Sequence, residues 1–256
     1  MTQQEMLFLV PQKLHQIEKD YGIHVLYAAE SGSRAWGTAS AHSDFDIRFI
    51  YIRPKEEYLR LDQTRDVLEF PIADSWDMCG WDLTKMLQLL HNSNSQIYEW
   101  FSSPVVYLDH GFSARLRPVL EEYFSARTMV NHYLHQAELK MNQALKVDSP
   151  KVKHYLYTLQ HLAAARWVLD RHSFPPVSYQ ALIPLLPDDI RQEAETLLLR
   201  KTTQSESPLT AHHLSLEAWA AETFRTLQQE IQQMPKEEGK SWDRLNRFFL
   251  AELDQI

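Results

Sequence analysis

Apolar residues at Met6, Leu7, Leu9, Val10, Leu14 and Ile17 recur with helical spacing, and Gly22 is placed to end the run. A helix is therefore expected over about residues 3–20. Pro11 interrupts the stripe and marks an alternative start, with proline in the first turn. His24 to Glu30 reads as a strand that leads into a turn at Gly32-Ser33, and Asp44 to Tyr51 reads as a second strand. In that second strand Asp44, Asp46 and Arg48 alternate with Phe45, Ile47 and Phe49, so one face is charged and the other apolar. Residues 53–65 are polar, a loop with a short helix. Asp66 to Phe70 and Ser75 to Cys79 are further short strands.

The period then changes. Leu83, Met86, Leu87 and Leu90 share a helical face over 81–90, Asn92 to Ser95 break it, and Gln96 to Phe101 form another turn of helix. Strand signals stop at Ser103-Pro104. Helices are expected near 113–124, 126–146, 150–172, 187–201, 210–234 and 240–254, separated at Asp148-Ser149-Pro150, Phe174-Pro175-Pro176, Leu186-Pro187 and Pro235. Lys201 to Thr210 is the expected flexible or partner-facing loop. The organisation is an α/β part over residues 1–110, then an all-helical part over 111–256.

Composition narrows the class. A chain of 256 residues, 44% hydrophobic and 23% charged, can bury a substantial core. A single cysteine, Cys79, excludes an internal disulfide framework, and the opening residues lack a basic signal-peptide region. No apolar run is long enough to span a membrane, so a cytoplasmic protein is expected. A formal charge of −8 argues against non-specific coating of nucleic acid. The charge is uneven, however: residues 1–110 hold 9 Lys and Arg against 16 Asp and Glu, and residues 111–256 hold 17 against 18. Lys140, Lys146, Lys151, Lys153, Arg166 and Arg171 make the stretch 140–171 locally basic, with Asp148 and Asp170 opposed to them.

The candidate chemistry lies between Ser31 and Ile50. Carboxylates at adjacent positions of one strand face repel each other and call for a cation, and a Gly-Ser turn offers N–H groups and a hydroxyl to phosphate oxygens. Gly32, Ser33, Asp44 and Asp46 together point to a site for a metal-bound polyphosphate.

A Gly-Ser turn followed by Asp-x-Asp in an apolar strand resembles the DNA polymerase β-like nucleotidyltransferase superfamily. Arg34 to Gly37, Ser43 to Arg48, Gly80 to Lys85, Ser93-Asn94, Glu99-Trp100 and Ser103-Pro104 resemble, more narrowly, the RlaP-like nucleotidyltransferase family associated with bacterial RNA repair. The match extends weakly into the helical part through Lys153, Tyr155, Tyr157, Trp167 and Pro175-Pro176. It departs at Gln160, where an arginine is expected. The resemblance implies a polymerase β-like fold, a small mixed sheet with flanking helices, followed by the helical domain.

It also implies an activity: transfer of a nucleoside monophosphate from an NTP to an acceptor hydroxyl, an RNA or tRNA end. Asp44 and Asp46 hold two Mg²⁺ ions in that scheme, and Gly32 and Ser33 grip the β- and γ-phosphates. Arg34, Arg48 and Lys153 are the further phosphate contacts. A third carboxylate is required, from Asp77, in an apolar-Asp-apolar strand setting, or from Asp82, which precedes Leu83 and has an alternative role as helix N-cap. Asp77 is the preferred choice. Small-molecule or protein nucleotidylation would use the same core, and a non-catalytic nucleotide-binding regulator is the alternative of another class.

Overall fold

The computed structural model describes residues 2–62, 64–72, 75–203, 209–235 and 239–256, so part of the loop expected over 201–210 lies outside the described residues. Helix α1 (Gln3–Tyr21) starts at a capping box in which Thr2 and Glu5 satisfy each other's backbone N–H, and it ends on Gly22 in the left-handed conformation. The helix runs through Pro11 rather than beginning there, because the capping box secures its first turn eight residues earlier.

The order continues β1 (His24–Glu30), α2 (Gly32–Trp36), β2 (Phe45–Ile52), α3 (Lys55–Tyr58), β3 (Val67–Glu69), β4 (Trp76–Asp82), α4 (Leu83–His91), α5 (Ser95–Phe101) and β5 (Val106–Asp109). Then come α6 (Phe112–Tyr123), α7 (Ala126–Leu145), α8 (Val152–Arg171), α9 (Tyr179–Leu182) with a 3₁₀ turn over Ile183–Leu185, α10 (Asp188–Thr203), α11 (Leu214–Gln233) and α12 (Asp243–Leu253). Strand β5 and helix α9 have no counterpart among the sequence expectations. Both are four-residue elements, too short to carry a period, and β5 is held by its cross-strand partner β1.

The sheet is small and mixed, with strand order β3-β4-β2-β1-β5, and it agrees with a polymerase β-like α/β part followed by a helical region. β2 pairs antiparallel with β1 and parallel with β4. Alternation along β2 divides its side chains. Phe45, Ile47, Phe49 and Tyr51 join Met6, Val10, Leu14 and Ile17 of α1 in one buried cluster, which leaves Asp46 and Arg48 to the opposite face. The strand begins at Phe45, one residue later than expected. The position preceding its partner Trp76 is Ser75, whose φ of 65° takes it out of the extended region, so Asp44 has no ladder partner.

The described chain divides into two compact units, residues 1–35, 44–123 and 239–256 in one, residues 36–43 and 124–238 in the other. The division passes through positions other than 110/111, and its physical reason is visible within the first unit. Arg115 on α6 donates from Nε and Nη2 to the Glu252 carboxylate of α12 at 2.7 and 2.8 Å. Phe249 meets Tyr58 edge-on and Trp242 stacks on His91. These contacts fold the last helix back onto the α/β unit.

In the second unit Arg166 of α8 donates to the Glu230 carboxylate of α11 through both Nη atoms, and Lys201 Nζ donates to the Thr38 carbonyl at 2.7 Å. His161 is buried in the middle of α8 between Tyr133 and Trp36. Burial first, then the neighbouring charges of Lys140 and His132, push its pKa down to about 3. Its folded pKa lies below the unfolded one, so the unfolded chain binds the extra proton as pH falls. Stability is complete above about pH 6.5 and declines below it. His161→Phe is expected to flatten that decline between about pH 6.5 and 4.5 in melting temperature measured against pH; an unchanged profile would remove His161 as its source.

Candidate active site

The parallel register of β2 and β4 places Asp46 directly beside Asp77. Arg48, two residues along the same face, donates from Nη2 to Asp46 Oδ1 at 3.2 Å and to Asp77 Oδ2 at 2.8 Å. Its Nη1 donates to the carbonyls of Ile47 and Asp77, so the donors expected to reach phosphate are directed at the carboxylate pair and its backbone. Burial raises the Asp46 pKa to about 6, with Arg48 opposing and the charges of Asp77 and Asp44 adding to the rise. Burial acts on Asp77 in the same sense, but its hydrogen bond and charge pairing with Arg48 outweigh that and leave its pKa lowered.

Gly32 opens α2 with φ of 58°, and a Cβ there would stand 2.2 Å from Asp46 Oδ2. Only glycine leaves room for that carboxylate and adopts the required backbone without strain. The peptide unit of Asp46 is held on both sides: its N–H donates to Glu30 Oε1 at 2.6 Å and its carbonyl accepts from Ser31 N–H at 2.8 Å. Glu30 is fully buried and also accepts from the Tyr107 hydroxyl, which itself accepts from Gln3 Nε2. Burial raises the Glu30 pKa to about 7, against the pull of Tyr107 and the Asp46 N–H. Glu30 and Tyr107 form a layer of the site that was not anticipated from sequence. The available signal was an acid closing the otherwise apolar end of HVLYAAE.

The other expected residues are placed as follows. Ser33 is buried in α2. Arg34 lays its guanidinium 3.7 Å from the Phe45 ring centroid and donates Nε–H to the Asp44 carbonyl. Asp44 is exposed, just outside the strand. Lys153 lies in the first turn of α8, in the second unit. Asp82 caps α4, its carboxylate accepting from Thr84 N–H and from the Tyr58 hydroxyl, with Arg53 Nε at 3.5 Å. It is 2% exposed and structural in its contacts.

Among the described residues no three His, Cys, Asp or Glu side chains stand together as a metal set. The fold brings together two carboxylates, Asp46 and Asp77, rather than three. Oxygen donors held side by side, one of them desolvated enough to resist ionisation, fit a hard divalent cation of the Mg²⁺ type. Such an ion commonly takes one or two carboxylates and completes its shell with substrate phosphates.

Residues 8–251 match the family described as RNA repair pathway DNA polymerase beta family, RlaP. The chain belongs to that family. The RlaP match takes in both the α/β unit and most of the helical region, and the family lies in the DNA polymerase β superfamily of nucleotidyltransferases. The chain is also similar to the Bacillus subtilis (strain 168) protein YcgL, itself uncharacterized, at 34% identity over 247 residues covering 95% of each chain. Among the described residues no helix is long and apolar enough to cross a membrane.

Asp82 offers an internal control for any RlaP active-site variant. Asp82→Ala is expected to cost about 3 kcal/mol in urea unfolding, because it removes a helix cap and the carboxylate that faces the Arg53 guanidinium and the Tyr58 hydroxyl. Asp82→Asn keeps a cap acceptor and is expected to cost about 1 kcal/mol. A change below a few tenths of a kcal/mol in both would contradict this role.

Proposed function

We propose that this chain is a Mg²⁺-dependent nucleotidyltransferase that moves a nucleoside monophosphate from an NTP to an acceptor hydroxyl, with an RNA or tRNA end as the acceptor. The observation that carries the reading is the side-by-side pair Asp46 and Asp77, seated over a glycine whose missing Cβ makes the space. Two Mg²⁺ ions, when bound, supply the charge neutralisation that phosphates require. The Gly32 backbone and the Ser33 hydroxyl hold the β- and γ-phosphates, and Arg34 adds charge beside them. Asp44 contributes a carboxylate at the mouth of the strand. Asp77, ionised at neutral pH, takes the proton of the acceptor hydroxyl as the new O–P bond forms. The α–β bridging P–O bond breaks and pyrophosphate leaves. Glu30 keeps Asp46 in register for this by holding its peptide N–H.

One observation favours a second reading, a nucleotide-binding regulator without transfer: Arg48 already pairs with both carboxylates. Incubation with each α-labelled NTP, Mg²⁺ and separate pools of RNA, small metabolites and protein decides between them. Label in RNA supports the proposal, and label in another pool reassigns the acceptor. NTP binding with no label transferred to any pool leaves the regulator.

A further inference from the structure

On α8, Lys153, Tyr157 and His161 recur at intervals of four and share one helix face. Two other helices bring cations to it. Lys140 of α7 has its Nζ 5.9 Å from the Tyr157 ring centroid, and Lys201 of α10 has its Nζ 5.5 Å from the same centroid. Trp36 packs edge-on against Tyr157 at 4.9 Å, and both rings are half-buried. Lys151 and His154 stand at the start of the helix.

Among the described residues no carboxylate lies within ion-pair distance of Lys140, Lys151, Lys153 or His154, whereas Arg166, farther along α8, is closed off by Glu230 and Asp170. The locally basic stretch 140–171 is therefore not uniform, since Arg166 is paired with carboxylates and Lys140, Lys151 and Lys153 are not. Burial and the Lys153 charge both push the Lys140 pKa down. Burial, then Lys153, Lys140 and Lys151, push His154 down in the same way. A solvated helix face lets lysines spread apart, but Lys140 is held at the Tyr157 ring within reach of the Lys153 charge. An anion relieves the repulsion between them. A single small anion needs one or two such groups, while three lysines, on α7 and at the start of α8, match successive phosphates of a strand.

We propose that Lys140, beside the Tyr157 ring, and Lys153, on the same face of α8 as that ring, form with Lys151 and His154 at the start of α8 a backbone-phosphate site for a single-stranded RNA acceptor. The proposal deepens the nucleotidyltransferase reading by giving its acceptor a place in the helical unit, and it rests on that reading for the identity of the nucleic acid. Equilibrium binding tests it without turnover, using a short fluorescein-labelled single-stranded RNA, anisotropy detection and the full chain in the absence of NTP. Its outcome is therefore separate from that of the label-transfer experiment.

Lys140→Gln and Lys153→Gln should each reduce the magnitude of the log–log salt slope by about 0.7, and the double variant should bind roughly tenfold more weakly. Lys153→Arg should restore the slope, and Arg166→Gln should leave it unchanged because that charge is already paired. Melting temperatures of the glutamine variants should hold or rise, since a like charge has been removed. Unchanged affinity and slope in the double variant would overturn the site. Loss of ATP binding with RNA binding intact would overturn its assignment to RNA.

Discussion

Asp77→Asn is expected to slow single-turnover nucleotidyl transfer by at least about a hundredfold while NTP binding survives, and Asp82→Asn to leave the rate close to that of the unaltered protein. The two aspartates are five residues apart on or beside one strand, but their surroundings differ in kind. Asp77 sits next to Asp46 across the parallel ladder, shares Arg48 with it, and keeps a third of its side-chain surface open. Asp82 is buried against Thr84, Tyr58 and Arg53, with its oxygens already engaged.

Asp46→Asn should abolish transfer as well, and melting temperature separates the two active-site variants. The raised pKa of Asp46 means that its charged form is disfavoured in the fold. Asp46 costs stability as pH rises from about 4 toward 6, and its removal should leave the melting temperature unchanged or higher near neutral pH. The lowered pKa of Asp77 has the opposite sign. Its charge contributes stability above the unfolded pKa, so Asp77→Asn should lower the melting temperature modestly. An inactive Asp82→Asn beside an active Asp77→Asn would place the third carboxylate on the wrong residue.

Gly32→Ala is expected to abolish transfer and weaken NTP binding by more than its effect on stability can explain. An alanine at φ of 58° costs about 1 kcal/mol of backbone strain wherever it occurs. At Gly32 the added Cβ would also stand 2.2 Å from Asp46 Oδ2 and 2.9 Å from its Cγ, so the carboxylate must leave its position. Gly22 is the matched control, since it has φ of 60° and open space around its would-be Cβ. Gly22→Ala should show the backbone penalty alone, a few degrees in melting temperature with full activity. If Gly32→Ala behaves like Gly22→Ala, the close approach of Asp46 to the turn has no functional weight.

Much of the α/β unit was legible in the chain because its signals are local. The span of β1, the alternation of β2, the N-cap of α4 and the stop at Gly22 each depend on residues within one turn or one strand. The helices of the helical region were legible for the same reason, from apolar spacing and proline breaks. The Gly-Ser turn and the Asp-x-Asp strand suggested a polyphosphate site through the chemistry of two neighbouring positions, and that assignment remains the proposal above.

Partnership across strands was not legible. That Asp46 stands beside Asp77 follows from the register of β2 on β4, which is set by backbone hydrogen bonds and by the core on the other face, not by either aspartate. The tertiary structure alone decided that Arg48 spends its donors on that pair, that Asp44 falls outside the ladder, and that Glu30 holds the Asp46 peptide from behind. It also decided that α12 returns to the first unit and that Lys140 and Lys201, 61 residues apart, meet at one tyrosine ring. Sequence periodicity carries which face of an element is buried. Which element covers that face, and which charges then meet without water between them, is determined only when the chain closes on itself.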